Sequence, residues 1–370
     1  MRLVPLERCE SKMMLGQSIY DGNGRVLLAK GTELSDRLIQ RLKKLHIYSV
    51  YIEDELSQGI EIVESVPERL RIEAVNVITD SLNTIAELKD TSGSNLQGMM
   101  KTGRAIRSLQ KVFKDLLSCL SENRTVINLL ATTKIHGNDI YQHSLNVTIY
   151  ACQLAIENGL PLKNIEEIGL GAMLHDVGKV FISHEVLNKP GKLTEEEYEY
   201  VKKHTELGFD LLRKIHEIPM TVSHCALQHH EKLDGTGYPR GLKETEIHSY
   251  AKIISVADVF SALTSHRAYR TPFLPHEALE ILYAGSGSQF ESKQIQLFKG
   301  CIAIYPQGLT VKMNDGRIGI ISDYNFHSVG RPKVRIIRDE YNQKIVPYEI
   351  DLSSKEHLTL DIIESDPLLY

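Results

Sequence analysis

Twelve of the chain's fifteen histidines fall between residues 136 and 276. The apolar residues of that stretch recur at helical spacing, so a helical domain is expected to carry them. Enrichment alone proves little, because several of the twelve must be bystanders. Spacing says more. Asp139 and His143 are four apart, which puts both on one helix face. His175 and Asp176 are adjacent and open the stretch His175-Asp-Val-Gly-Lys179. His204 lies in a helix whose start is marked by a capping box, Thr194 with Glu197 three later. His229 and His230 are adjacent. Asp258 sits inside the apolar run Ile253-Ile-Ser-Val-Ala-Asp-Val-Phe-Ser-Ala-Leu263. A carboxylate there is costly unless a cation or a donor compensates it.

These eight positions offer five imidazoles and three carboxylates, and no thiolate. One ion takes about four to six such donors. Eight suit two divalent ions about 3.5–4 Å apart, sharing a carboxylate and a water. Asp176, in the middle of the set, is the best candidate to be shared. Imidazole with carboxylate favours iron or manganese first, with zinc, magnesium or nickel as alternatives.

A second stretch follows the histidine pair, Asp234-Gly-Thr-Gly-Tyr-Pro239. Gly235 and Gly237 permit close backbone approach and positive φ. Tyr238 offers a ring and a hydroxyl, and Pro239 stiffens the loop. Further on, Arg267 and Arg270 carry guanidinium forks that suit phosphate oxygens.

Composition bounds the class. The net charge is 43 − 48 = −5 over 370 residues, with 42% hydrophobic and 25% charged residues. That balance argues against a protein dominated by duplex DNA or RNA or by anionic membranes. Five scattered cysteines form neither a disulfide framework nor a zinc-finger pattern, and fit a reducing compartment. No apolar run approaches the roughly 20 residues that span a bilayer, so a cytoplasmic protein without membrane insertion is expected.

The chain reads as four segments. Residues 1–58 form a small α+β domain: Asp21-Gly-Asn-Gly24 is a hairpin signal, Ser35 caps a helix with Leu38, Ile39, Leu42 and Leu45 on one face, and Ile47–Ile52 is a strand. Residues 59–135 are helical, with apolar faces on either side of the loop Thr91-Ser-Gly-Ser-Asn95. They serve either as a homodimer stalk or as helices packed on their own domain. Residues 136–300 hold the candidate site. Residues 301–370 turn to β pattern around Asn314-Asp-Gly316, a compact antiparallel sheet or barrel.

His175-Asp-x-Gly-Lys179, His204, the His229–His230 pair, Asp234-Gly-Thr-Gly-Tyr-Pro239 and Asp258, in that order, resemble the HD-GYP family of bacterial cyclic di-GMP phosphodiesterases. The resemblance covers about residues 136–300. It implies a mainly α protein, with a helical HD-superfamily catalytic domain between the small α+β N-terminal domain and the small β-rich C-terminal tail. It further implies metal ligation by His143, His175, Asp176, His204, His229, His230 and Asp258, a contact of Lys179 with the scissile phosphate, and catalytic parts for Lys179 and Asp176. Gly237 and Tyr238 then belong to the loop near the substrate, with Arg267 and Arg270 on phosphate or sugar. The product would be linear pGpG, and GMP after a second turnover.

Two positions depart from the family pattern. Many members carry Glu at Asp139, where the longer side chain is associated with a third metal; the shorter Asp favours two. Many carry Asp at Ser261, and this difference is expected to touch the substrate wall rather than the ligands. Two other readings stay open: a sensing or scaffold module without turnover, and a phosphodiesterase for another cyclic nucleotide or dinucleotide.

Overall fold

The computed structural model describes residues 1–21, 25–45, 47–87, 96–122, 139–189, 191–265, 272–325 and 328–365. The chain divides into two compact units. Among the described residues, one comprises 1–65 and 302–365, and the other comprises 66–122 and 139–301.

In the first unit the two ends of the chain fold together. Strands β1 (Arg2–Pro5), β2 (Met14–Leu15) and β5 (Ser49–Glu53) form an antiparallel sheet in the order β1-β5-β2. The hairpin signalled by Asp21–Gly24 is present as β3 (Ile19–Tyr20) paired with β4 (Val26–Leu28). Helix α1 (Asp36–Lys44) starts where the Ser35 hydroxyl accepts the Leu38 N–H. It buries Ile39 and Leu42 against Leu15, Val50 and Ile52. The C-terminal strands β6 (Thr310–Met313), β7 (Ile318–Asp323), β8 (Lys333–Arg338), β9 (Lys344–Asp351) and β10 (Ile362–Ser365) form an antiparallel sheet in the order β10-β6-β7-β8-β9. The β6–β7 turn uses Gly316 at φ +92°, the left-handed region that glycine enters at no steric cost. The two sheets are tied by Leu3 N–H to the Gly308 carbonyl and by the Tyr51 hydroxyl to the Gln307 carbonyl. Ile60 packs with Ile320 and Ile337.

The second unit is helical. Helices α2 (Glu68–Ala86) and α3 (Leu96–Glu122) pack on each other and on α4 (Asp139–Glu157); α3 also meets α5 (Leu162–Leu174). Phe113 of α3 lies over Gly169 so closely that a β-carbon there would sit 1.9 Å from its ring. On α2 and α3, Ala74, Ile78, Leu82 and Ile85, and Leu109, Val112, Leu116 and Leu117, are buried, whereas Leu70 and Val77 are half-buried. The chain continues through α6 (His184–Leu187), α7 (Glu195–Lys202), α8 (His204–Leu212), α9 (Met220–Gln228), α10 (Ser249–Thr264), α11 (Pro275–Ala284) and α12 (Ser292–Cys301). The capping box at Thr194 is made: its side chain accepts the Glu197 N–H, and Glu197 accepts the Thr194 N–H. Helix α10 is apolar around nearly its whole girth, which marks it as the central helix, and α4, α5, α9, α11 and α12 pack on it.

A candidate metal centre

Five helices and one 3-10 turn deliver the ligand candidates. His143 projects from α4. His175 ends α5, and Asp176 begins a 3-10 turn, Val177–Phe181, that carries Lys179. His204 opens α8, His229 ends α9 with His230 beside it, and Asp258 lies on α10. The turn after Asp176 reaches the start of α8 only because residue 178 is glycine. A β-carbon at Gly178 would lie 1.9 Å from the His204 carbonyl oxygen and 2.7 Å from the Gly208 nitrogen.

The side chains converge as two groups, Asp176 with His204, His229 and His230, and His143 with His175 and Asp258. Within each group the ligand atoms lie within 4.8 Å of one another. Asp176 faces both. Its Oδ2 is 3.2 Å from His175 Nε2, and its Oδ1 is 3.4 Å from His204 Nε2 and 3.8 Å from His229 Nε2. Asp258 Oδ1 is 2.9 Å from His143 Nε2, and its Oδ2 is 3.8 Å from His230 Nδ1. Lys179 Nζ pairs with Asp176 Oδ2.

The rings are aimed from behind. Nδ1 of His175 lies 2.7 Å from the Ala172 carbonyl, and that of His204 lies 2.8 Å from the Val201 carbonyl. His229 Nδ1 lies 3.0 Å from the Ala226 carbonyl. A carbonyl only accepts, so each ring carries a proton on Nδ1, and in its neutral form presents a bare Nε2 to the cluster. Buried His175 Nε2 and Asp176 Oδ1 have no hydrogen-bond partner. Buried polar atoms without partners are rare and costly. Two such atoms, one in each group of imidazoles and carboxylates, fit divalent metal ions.

Burial and charge shape the titration. Burial would raise the Asp176 carboxyl, yet Lys179 and His175 beside it hold it well below the usual carboxylate range. Asp258 is likewise held low by His143 against the pull of burial. Burial pushes His204 down to about 4 and His230 down to about 3, so both imidazoles stay neutral and available as ligands near pH 7.

The Asp234–Pro239 loop is built against the chain itself. Asp234 Oδ1 accepts the Thr236 N–H and hydroxyl. At Gly237 a β-carbon would lie 2.3 Å from the Lys232 nitrogen, so its close approach is to backbone of this chain. The Tyr238 N–H donates to the His230 carbonyl, and its ring centre lies 4.7 Å from that of His230. Asp139 starts α4, but its side chain lies outside the described residues, as do Arg267 and Arg270.

Two features were not read from the sequence, and a third, Ser261, was read differently. Glu231 is buried, and its carboxylate accepts the N–H groups of Arg240 and Leu242, which holds the far side of the loop. Tyr198 and Lys202 of α7 stand beside Tyr238, with Lys202 Nζ 4.8 Å from the Tyr198 ring centre and 5.4 Å from that of Tyr238. No sequence spacing announces either. Ser261 does have a signal. It follows Asp258 by three residues on α10, hence on the same face, and its Oγ is 2.9 Å from His143 Nδ1. The expected difference at the substrate wall is corrected by this contact: Ser261 touches a ligand candidate.

A helical unit that converges these donors offers sites for divalent metal ions. Residues 124–293 match the HD domain family, and this segment of the chain belongs to it. The chain is 31% identical over 224 residues to the cyclic di-GMP phosphodiesterase PA4108 of Pseudomonas aeruginosa, covering 60% of this chain and 54% of that protein. It is 35% identical over 193 residues to a cyclic di-GMP phosphodiesterase of Thermotoga maritima, covering 52% of each. It is 36% identical over 173 residues to the 3'3'-cGAMP-specific phosphodiesterase 2 of Vibrio cholerae, covering 46% of this chain and 33% of that protein. The chain thus spans about half the length, or less, of these relatives. No helix among the described residues is long and apolar enough to cross a membrane.

Proposed function

We propose that this chain is a metal-dependent phosphodiesterase that hydrolyses cyclic di-GMP to linear pGpG, and to GMP after a second turnover. The observation that carries the reading is the placement of Asp176 between two groups of ligand atoms, with its Oδ1 and His175 Nε2 unpartnered. His143, His175 and Asp258 would hold one divalent ion, and His204, His229 and His230 the other, with Asp176 shared and Asp139 at the edge. Iron or manganese fits this donor set first. Such ions supply Lewis acidity towards phosphoryl oxygens and lower the pKa of an attacking water. The protein's part is to hold these donors bare and dry, through carbonyls behind the rings and burial around them. Lys179 brings a positive charge to the same place and balances charge that develops on the phosphoryl oxygens. Gly237 and Tyr238 shape the neighbouring wall, and Arg267 and Arg270 hold phosphate or sugar. No nucleophilic Ser or Cys is required. We carry the homodimer through residues 60–135 and a cytoplasmic location as parts of this proposal.

The test is metal analysis of anaerobically purified protein, with products identified on the same sample. Metal-loaded protein that leaves cyclic di-GMP intact under varied iron and manganese loading overturns the reading. A monomeric mass by light scattering at micromolar concentration overturns the dimer.

A second reading keeps the chemistry and changes the substrate, because one relative is named for 3'3'-cGAMP. Relative kcat/KM over a panel of cyclic dinucleotides decides between them. Against a scaffold without turnover, Asp176→Ala discriminates: an enzyme loses hydrolysis, whereas a scaffold keeps its partner function.

A further inference from the structure

We propose that Ser261 is a positioning residue for His143, and that it makes the group of His143, His175 and Asp258 the weaker and later-filled of the two metal sites. The proposal rests on the metal reading above.

Among the five histidines of the cluster, three have Nδ1 against a main-chain carbonyl. No side-chain substitution removes those acceptors, so the rings of His175, His204 and His229 are oriented by the helices themselves. His143 differs. Its Nδ1 meets the Ser261 hydroxyl at 2.9 Å, while its Nε2 lies 2.9 Å from Asp258 Oδ1. Asp258 and Ser261 stand one turn apart on α10, and together they grip the ring from both nitrogens. Ser261 is fully buried, so water cannot replace its hydroxyl without a cavity being opened.

Two properties of that hydroxyl set the strength of the site. It both donates and accepts, so it satisfies either tautomer of His143, where a carbonyl enforces one. It also carries no charge. A carboxylate behind a ligating imidazole raises its basicity, and a hydroxyl does so far less. The freedom of tautomer leaves His143 a less committed ligand than His204 or His229, whose carbonyl partners fix theirs. The group of Asp176, His204, His229 and His230 therefore fills first, and that of His143, His175 and Asp258 second.

The experiment is a titration of chelator-stripped protein with manganese, followed by calorimetry against a competing chelator. Wild type is expected to bind two equivalents in two resolved steps. Ser261→Ala should weaken the second step about 10- to 100-fold, the usual cost of losing an outer partner, and leave the first unchanged. His204→Ala, which strips the other group, identifies the first step. Ser261→Cys is close in size and only a weak donor and acceptor, so its second step should fall between wild type and Ser261→Ala. Should Ser261→Ala fail to fold, Ser261→Cys decides alone. Two wild-type steps with both Ser261 variants unchanged, or with both steps weakened equally, overturn this proposal and leave the metal reading standing. Wild type that binds no manganese overturns both.

Discussion

His143 Nε2 lies 2.9 Å from Asp258 Oδ1, although 115 positions separate them in the chain. Only the packing of α4 on α10 makes this pair. Asp258→Asn keeps the shape and removes the charge, and with it one metal ligand. We expect the variant to lose about one equivalent of bound metal, and turnover to fall by more than the 10- to 100-fold typical of outer partners. Metal content by mass spectrometry, with product quantified by chromatography, checks both.

Asp176 touches both groups, with His175 on one side and His204 and His229 on the other. Asp176→Ala should therefore cost both metal equivalents, unlike Asp258→Asn. The same two measurements apply, and retention of a full equivalent would contradict the shared role.

Gly178 is held to hydrogen by backbone. Gly178→Ala would place its β-carbon 1.9 Å from the His204 carbonyl oxygen, and backbone cannot swing aside as a side chain does. Overpacking costs about 1–3 kcal/mol, and more where backbone must move. Urea denaturation of the chelated protein should show at least that loss, and His204 should no longer be delivered to the cluster.

Glu231 holds two N–H groups of the loop that follows Tyr238. Glu231→Gln retains one acceptor oxygen, so one of the two donors is left buried without a partner, at about 1–3 kcal/mol. We expect lower thermal stability, and a higher KM for the cyclic dinucleotide with metal content unchanged. An unaltered KM would separate the loop from substrate binding.

The buried histidines give the chelated fold a pH dependence of definite sign. His204 is pushed to about 4 and His230 to about 3, and His143 and His229 are also lowered, all chiefly by burial. As pH falls from the ordinary histidine value of 6.5, the unfolded chain takes up these protons first. Stability is therefore full above about 6.5 and is lost progressively towards about 4. His175 runs the other way: burial lowers it, but Asp176 overcomes that and raises it. One such group against four leaves the direction unchanged. The Asp176 and Asp258 carboxyls, held low, add their loss only below the ordinary carboxylate range. Melting curves in chelator from pH 7.5 down to about 4.5 should show a falling Tm, and His204→Gln should flatten the slope.

Local chemistry alone determined a good part of this protein. The capping hydroxyls of Ser35 and Thr194, the β3–β4 and β6–β7 hairpins, and the apolar faces of α2 and α3 follow from near-neighbour geometry. The donor types at the eight ligand positions, and their order, were also legible, because residue identity and motif spacing are properties of the chain. Tertiary structure decided the rest. Which carboxylate faces which imidazole depends on how helices cross, and a side chain cannot report its partner more than a hundred residues away. That is why Ser261 changed from a wall residue to the support of His143, and why Glu231 was invisible until its loop closed over it. It is also why Gly237 reads as permissive from sequence but proves, like Gly178, to be a place where the chain meets its own backbone. The contact of Phe113 on α3 with Gly169 on α5 is likewise tertiary, since no spacing within either helix announces the other.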